Sequence, residues 1–342
     1  MTANYLVLRD FPEPDIEMAW RNFLLNGEMP SHYCAPEFFR EPFWDGKLPF
    51  AVLALEQDKV VGVATALRDD REFTCGLACR PQICLPKGPR RKQAESALVL
   101  GILSEAGSSE LVSIYSWTGL ESPVGLGFRR AETEGAVVLD LTKGPDALFR
   151  EFSADKRRNI RFSIKKGVEV AQATTQEDLL DFYDVYLAWR GTNRKDIEGP
   201  QIPFSTFERA FALTENRLVL MARDSGRVIA TNTFRFYPGG LFESAANYSR
   251  PESMQLKPNE LLQWRGIEWA CRNNLQRHSL GGTHTFLRGF GKTIAPVYRY
   301  RLDRTFLRQH DLRDTVSDLG NEWRKKMPEP VKQQVRRVLA KF

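Results

Sequence analysis

Leu218-Val219-Leu220-Met221-Ala222 and Val228-Ile229-Ala230-Thr231-Asn232-Thr233-Phe234 flank Arg223-Asp224-Ser225-Gly226-Arg227, and this stretch sets the reading of the whole chain. Two apolar runs around a glycine turn predict a β-hairpin. A third run, Leu241-Phe242-Glu243-Ser244-Ala245-Ala246-Asn247-Tyr248, predicts another strand. Leu256-Lys257-Pro258-Asn259-Glu260 then opens a helical pattern that ends near Cys271, where Asn273-Asn274 interrupt it. Proline suits that start, because the first N–H groups of a helix have no partner within it. Ser279-Leu280-Gly281-Gly282, Phe286-Leu287-Arg288-Gly289-Phe290-Gly291 and Val297-Tyr298-Arg299-Tyr300-Arg301-Leu302 follow. The order is three strands, a helix, a short strand, a Gly-Phe turn and a closing strand, a mixed α/β unit.

The first half shows the same order. Residues 50–55 and 60–67 predict a hairpin, 73–79 and 82–85 strand, and Pro89-Arg90-Arg91-Lys92 opens a helix reaching about Glu105. Residues 111–117 predict a strand, Gly127-Phe128 a turn and 137–141 a closing strand. Val60-Val61-Gly62, Pro89 and Gly127-Phe128 recur as Val228-Ile229-Ala230, Pro258 and Gly289-Phe290, roughly 160–170 residues on. The expectation is two similar domains in tandem, 1–145 and 146–305, packed face to face around a cleft. Residues 306–342 form a basic helical tail. Helices are further expected at 16–25, 176–189 and 204–213, from apolar residues spaced for one buried side. Ile160 and Ile164 lie four apart in the cationic segment between the copies, which Gly167 ends.

At 342 residues, 42% hydrophobic and 27% charged, the chain is an ordinary globular protein long enough for two cores. No apolar run is long enough to span a bilayer, and no signal peptide is visible, so the expected location is cytoplasmic. Five cysteines do not make a disulfide framework. Cys75, Cys79 and Cys84 lack the close pairs of structural zinc sites and read as core, so no metal is expected. The net charge of +6 suits phosphate-rich ligands and equally suits a solvated surface.

These landmarks resemble the Fem-type and BioF2-like branch of the Gcn5-related N-acyltransferase (GNAT) superfamily. The resemblance rests on Lys156-Arg157-Arg158-Asn159-Ile160-Arg161 with Lys166-Gly167-Val168, on Leu256, Pro258, Asn259, Leu261, Leu262 and Trp264, and on Phe286-Leu287-Arg288-Gly289-Phe290-Gly291. It implies two tandem GNAT-like domains, each a mixed, mostly antiparallel twisted sheet flanked by helices. It also implies transfer of an aminoacyl group from aminoacyl-tRNA, or an acyl group from acyl-CoA, to an amine. The acceptors it suggests are amine-bearing small molecules and glycan or peptidoglycan precursors. No tightly bound cofactor is implied. Two departures stand out: Leu287 occupies the position where the family often has lysine, and the long helical arm of some cell-wall members has no counterpart.

Acyl transfer to an amine needs an aligned activated carbonyl and a group to take the ammonium proton. Glu243 is the candidate for that group, with Tyr248 and Asn247 as polar contacts to substrate; Glu243 on a solvent-facing edge is the simpler alternative. Arg157, Arg158, Arg161 and Lys165 could bind the anionic ligand or tRNA, and Arg288 could replace the charge of the absent lysine. Lys87, Arg90 and Arg91 surround Gly88 at a helix start, where N–H groups, dipole and charge favour phosphate. The matching loop before Pro258 has no glycine, which favours aminoacyl-tRNA over acyl-CoA. The basic tail could touch tRNA or an anionic membrane, or pack on the body, and a monomer is expected. The rival class is a non-catalytic protein that keeps the fold and binds a nucleotide-linked ligand or tRNA.

Overall fold

The computed structural model describes residues 4–44, 46–76, 80, 82–192 and 199–316. The basic tail expected at 306–342 therefore lies mostly outside the described residues, as does Cys79. The first half runs β1 (Asn4–Leu8), α1 (Pro14–Leu24), β2 (Leu48–Glu56), β3 (Lys59–Arg68), β4 (Glu72–Cys75), β5 (Ile83–Cys84), α2 (Arg91–Ala106), β6 (Leu111–Ser116), α3 (Ser122–Gly125) and β7 (Arg129–Asp140). Helices α4 (Pro145–Glu151) and α5 (Ala154–Lys165) link it to the second half. That half runs β8 (Glu169–Gln172), α6 (Gln176–Arg190), α7 (Phe204–Phe211), β9 (Arg217–Asp224), β10 (Arg227–Phe236), β11 (Leu241–Ser249), α8 (Pro258–Arg272), β12 (Arg277–Ser279), α9 (Thr285–Arg288) and β13 (Ile294–Asp303).

The strands lie in the order β1-β2-β3-β4-β6-β13-β7-β12-β11-β10-β9-β8, with β5 paired to β3. Read from either end this is the same path, and β4–β6 and β11–β12 are the parallel pairs in each half. The closing strands are exchanged: β13 pairs with β6 of the first half, and β7 pairs with β12 of the second. Where the sequence suggested domains packed face to face, the halves instead join edge to edge through β7 and β13. Pairing strands satisfies their backbone groups and removes two open sheet edges, which a face-to-face arrangement would leave exposed.

Gly135 sits at that seam with φ +75°, and a β-carbon there would lie 2.3 Å from the Ala295 carbonyl oxygen. Gly135→Ala is expected to lower the unfolding free energy by about 2 kcal/mol or more, read from urea titration, because strain and backbone contact act together.

Each half packs helices on both faces of its sheet. In the second half, α5 and α8 cover one face over Leu218, Ile229, Phe234, Phe242, Leu262 and Phe290. Helix α8 comes close because Gly266 has no side chain; a β-carbon there would lie 2.4 Å from the Phe234 ring. Helices α6 and α7 cover the opposite face with Phe182, Tyr186, Phe207 and Tyr248. The loop after α1 runs onto the second half as well, where the Leu241 N–H donates to the Pro30 carbonyl at 2.9 Å. Residues of the first half thereby reach the second half's sheet.

Candidate active site

Strand β11 carries one residue more than its neighbour: Thr233 faces Ala246 and Phe234 faces Ser244, so Ala245 has no opposite on β10. A bulge of this kind bends the strand and turns backbone groups out of the ladder. Two cavities meet at it, since Arg80, Ala245 and Ala246 line both. Arg80 donates to the Ala245 carbonyl at 3.3 Å.

The larger cavity, a cleft of about 730 Å³, lies on the α8 side, between the end of β11, the start of α8 and the loop around His284. Lys257 is in the left-handed conformation (φ +59°) and turns the chain into Pro258. The Ser249 hydroxyl donates to Asn259 Oδ1 at 2.6 Å, tying β11 to the helix start. Glu260 accepts from Lys156 Nζ and Asn159 Nδ2, each at 3.1 Å. The Lys156 ammonium also sits 3.3 Å from the Phe286 ring centre. Burial lowers the pKa of Lys156 against the opposing pull of Glu260. Deeper in, His278 Nδ1–H donates to the Phe242 carbonyl at 3.0 Å, leaving Nε2 to accept from Gln263 at 2.6 Å. Burial lowers the His278 pKa to about 4, so the ring is neutral and this tautomer is fixed. Gln263 Oε1 then accepts from Asn232 and Ser244, each at 3.3 Å.

The smaller cavity, about 180 Å³, lies on the opposite face under α6 and α7. Its walls include Phe43, Phe182, Phe207 and Tyr248, and its polar lining includes Arg80, Arg217 and Arg235. Behind them Glu41 accepts from Arg217 at 2.9 Å and Arg235 at 3.1 Å, and lies 3.2 Å from His32 Nε2. Burial alone would push the Glu41 carboxyl up, but Arg235, His32 and Arg217 outweigh it and hold the carboxyl well below the usual range. Burial lowers the His32 pKa.

Glu243 is directly opposite Arg235 in the β10–β11 ladder and shares its face. It is 2% exposed, and neither carboxyl oxygen has a hydrogen-bond partner among the described residues. Burial pushes its pKa up to about 8, against Arg80 and Arg235. The side chain is thus an interior one, two residues before the bulge. Tyr248 lines the smaller cavity within an aromatic cluster with Phe182, Tyr186 and Trp189, and burial pushes its hydroxyl up to about 12. Asn247 lines the larger cleft.

Glu243 itself lines neither cavity, and nor do the remaining sequence candidates. Arg157 donates to the Arg150 carbonyl at 2.9 Å and to the Phe152 carbonyl, closing the α4–α5 junction. Arg158 pairs with Asp155 on the surface, Arg161 stands over the Phe149 ring, and Lys165 is exposed. Arg288 donates to the Thr283 carbonyl at 2.6 Å and so closes its own loop, while Leu287 faces the cleft. Lys87 and Arg90 border a separate surface groove in the first half. Arg91 is engaged by Glu28, Thr118 and Gly119. The residues that the sequence reading passed over are Lys156, Glu41, Arg217 and Arg235. Only an acidic residue in the aromatic stretch before β2, with arginines in otherwise apolar strands, hinted at the last three. Cys75 and Cys84 are buried free thiols, and no group of metal-ligating side chains occurs among the described residues.

Over residues 150–289 the chain matches the family model described as an acetyltransferase (GNAT) domain. Its fold is shared with a crystal structure of FemX (TM-score 0.64, 12% identity, 83% of this chain and 95% of that one). It is shared also with the C-terminal domain of a putative lysylphosphatidylglycerol synthetase from Agrobacterium fabrum (0.57, 11%, 88% and 96%). A tandem GNAT protein from the clavulanic acid biosynthesis pathway aligns likewise (0.55, 12%, 89% and 99%). Comparison with curated protein sequences gives no match. The expected Fem-type, tandem GNAT architecture is the one observed. No helix among the described residues is long and apolar enough to cross a membrane.

Proposed function

We propose that this protein is an N-acyltransferase whose donor lies in the α8-side cleft and whose amine acceptor enters from the smaller cavity. The observation that carries the reading is the meeting of two cavities, on opposite faces of one sheet, at the bulged Ala245. An amine entering from one face can there attack a carbonyl presented from the other. Backbone N–H groups turned out at the bulge are suited to the developing oxyanion. In the transfer, the C–N bond forms, the bond to the donor's oxygen or sulfur breaks, and the amine gives up a proton while the leaving group gains one. Glu243 takes that proton, directly or through one water, and its pKa of about 8 suits the task. The Gln263–His278 network and the Lys156–Glu260 pair hold the cleft floor and the helix start in place.

GNAT acyltransferases use acyl-CoA as co-substrate, yet the start of α8 is a poor cradle for a pyrophosphate. Pro258 supplies no N–H, no glycine precedes it, and the Lys156 ammonium nearby is already engaged by Glu260, so few donors are left for a phosphate. This supports an aminoacyl-tRNA donor, as does the basic excess of the chain. Full-length protein incubated with charged tRNA and an amine is expected to deacylate the tRNA and to release no thiol from acyl-CoA. Thiol release with the tRNA ester untouched would reverse the choice of donor; consumption of neither would count against acyl transfer.

A further inference from the structure

Two guanidiniums at the base of the smaller cavity share a single carboxylate. Arg217 and Arg235 are 3% and 8% exposed at their side chains, and both bond to Glu41. The Nε atom of each has no hydrogen-bond partner among the described residues. Among the described residues, the other acids and bases nearby do not restore neutrality. Burial disfavours the charged forms of both Glu243 and His32. Tyr33 offers Arg235 its hydroxyl and, 5.3 Å away, its ring, neither of them an anion. A third guanidinium, Arg80, borders the same space. A buried excess of positive charge is stable only with a counter-charge, and a planar fork with unused N–H groups matches a carboxylate best. The rest of the wall is aromatic and apolar: Phe43, Phe182, Phe207 and Tyr248. At about 180 Å³ the cavity is smaller than the roughly 300–1,000 Å³ of sites for drug-sized ligands, so it admits one small molecule. The bulge at Ala245, where an amine would have to stand, lines the same cavity.

We infer that the acceptor is a free amino acid with an apolar or aromatic side chain, its carboxylate held by Arg217 and Arg235 and its amino group directed to Ala245. This deepens the acyl-transfer reading and rests on it for the role of the amine, but the carboxylate site itself does not depend on catalysis.

Calorimetric titration of the full chain with L-phenylalanine, L-phenylalaninamide and 3-phenylpropanoate tests it. The two carboxylates are expected to bind, and the amide at least about tenfold more weakly, since an uncharged group leaves the guanidiniums without a counter-ion. Arg235→Lys is expected to abolish most of that preference. If Arg235→Lys does not fold, Ala210→Leu, which fills the cavity from α7 without touching an ion pair, is expected to weaken all three ligands together. Equal affinity for acid and amide, or no binding of either carboxylate at millimolar concentration, overturns the inference. Carboxylate-dependent binding without transfer from any donor would sustain the site and count against the acyltransferase reading. Transfer to phenylalaninamide and phenylalanine with equal kcat/KM would do the reverse.

Discussion

Glu243→Gln is expected to lower kcat by about 100-fold or more while leaving acceptor affinity nearly unchanged, because a general base typically contributes ~10²–10⁴-fold. Glutamine keeps the shape of the side chain and cannot take a proton. In the unsubstituted protein, activity should rise with pH through about 8, as the buried carboxyl ionises, and the variant should lose that limb of the profile. Stability moves in the opposite sense. Between the unfolded carboxyl's value of about 4.3 and about 8, the folded state keeps a proton that the unfolded chain has released. Stability therefore falls as pH rises across that window, and Glu243→Gln should flatten the fall. A binding protein without catalysis would show the stability effect alone. Full activity in Glu243→Gln at every pH would remove this residue from the chemistry.

The second large effect is expected at Glu41. Glu41→Gln leaves Arg217 and Arg235 buried without their shared counter-ion, and breaking a buried pair in this way costs about 3–5 kcal/mol. Chemical denaturation should show the loss as a lower midpoint with little change in slope. The pH dependence identifies its origin. Because the folded carboxyl titrates well below the usual carboxylate range, its contribution is complete above that range and is lost only as pH falls toward the folded value. The gap between variant and parent should be constant from about pH 5 to about pH 8 and close in stronger acid. A gap that instead opened near neutral pH would point to His32.

The two residues differ in how much of their role could be read from the chain. Glu243 was visible as a carboxylate within an apolar strand, but its face was not, because strand phase is set by pairing with neighbours. Opposite Arg235 it proves to be interior, which raises its pKa. The cations of α5 form a dense cluster in the sequence, yet Arg157, Arg158, Arg161 and Lys165 face carbonyls, a neighbouring acid, a ring or solvent. Lys156, next to them, is the one buried beside the cleft, since one helical step turns a side chain by about a quarter of a circle. Glu41 and Arg217 are far apart in the chain and meet only because the loop after α1 crosses onto the second half.

What the sequence determined by itself was the order of strands and helices and its repetition, because apolar periodicity, proline starts and glycine turns act over a few residues at a time. It also showed the segment from Lys156 to Gly291 that resembles GNAT enzymes. Only the tertiary structure decided the exchange of β7 and β13, the bulge at Ala245 joining two cavities, and the gathering of Glu41, Arg217 and Arg235. Those features depend on register and on contacts between distant parts of the chain, and burial then sets the charge of each group.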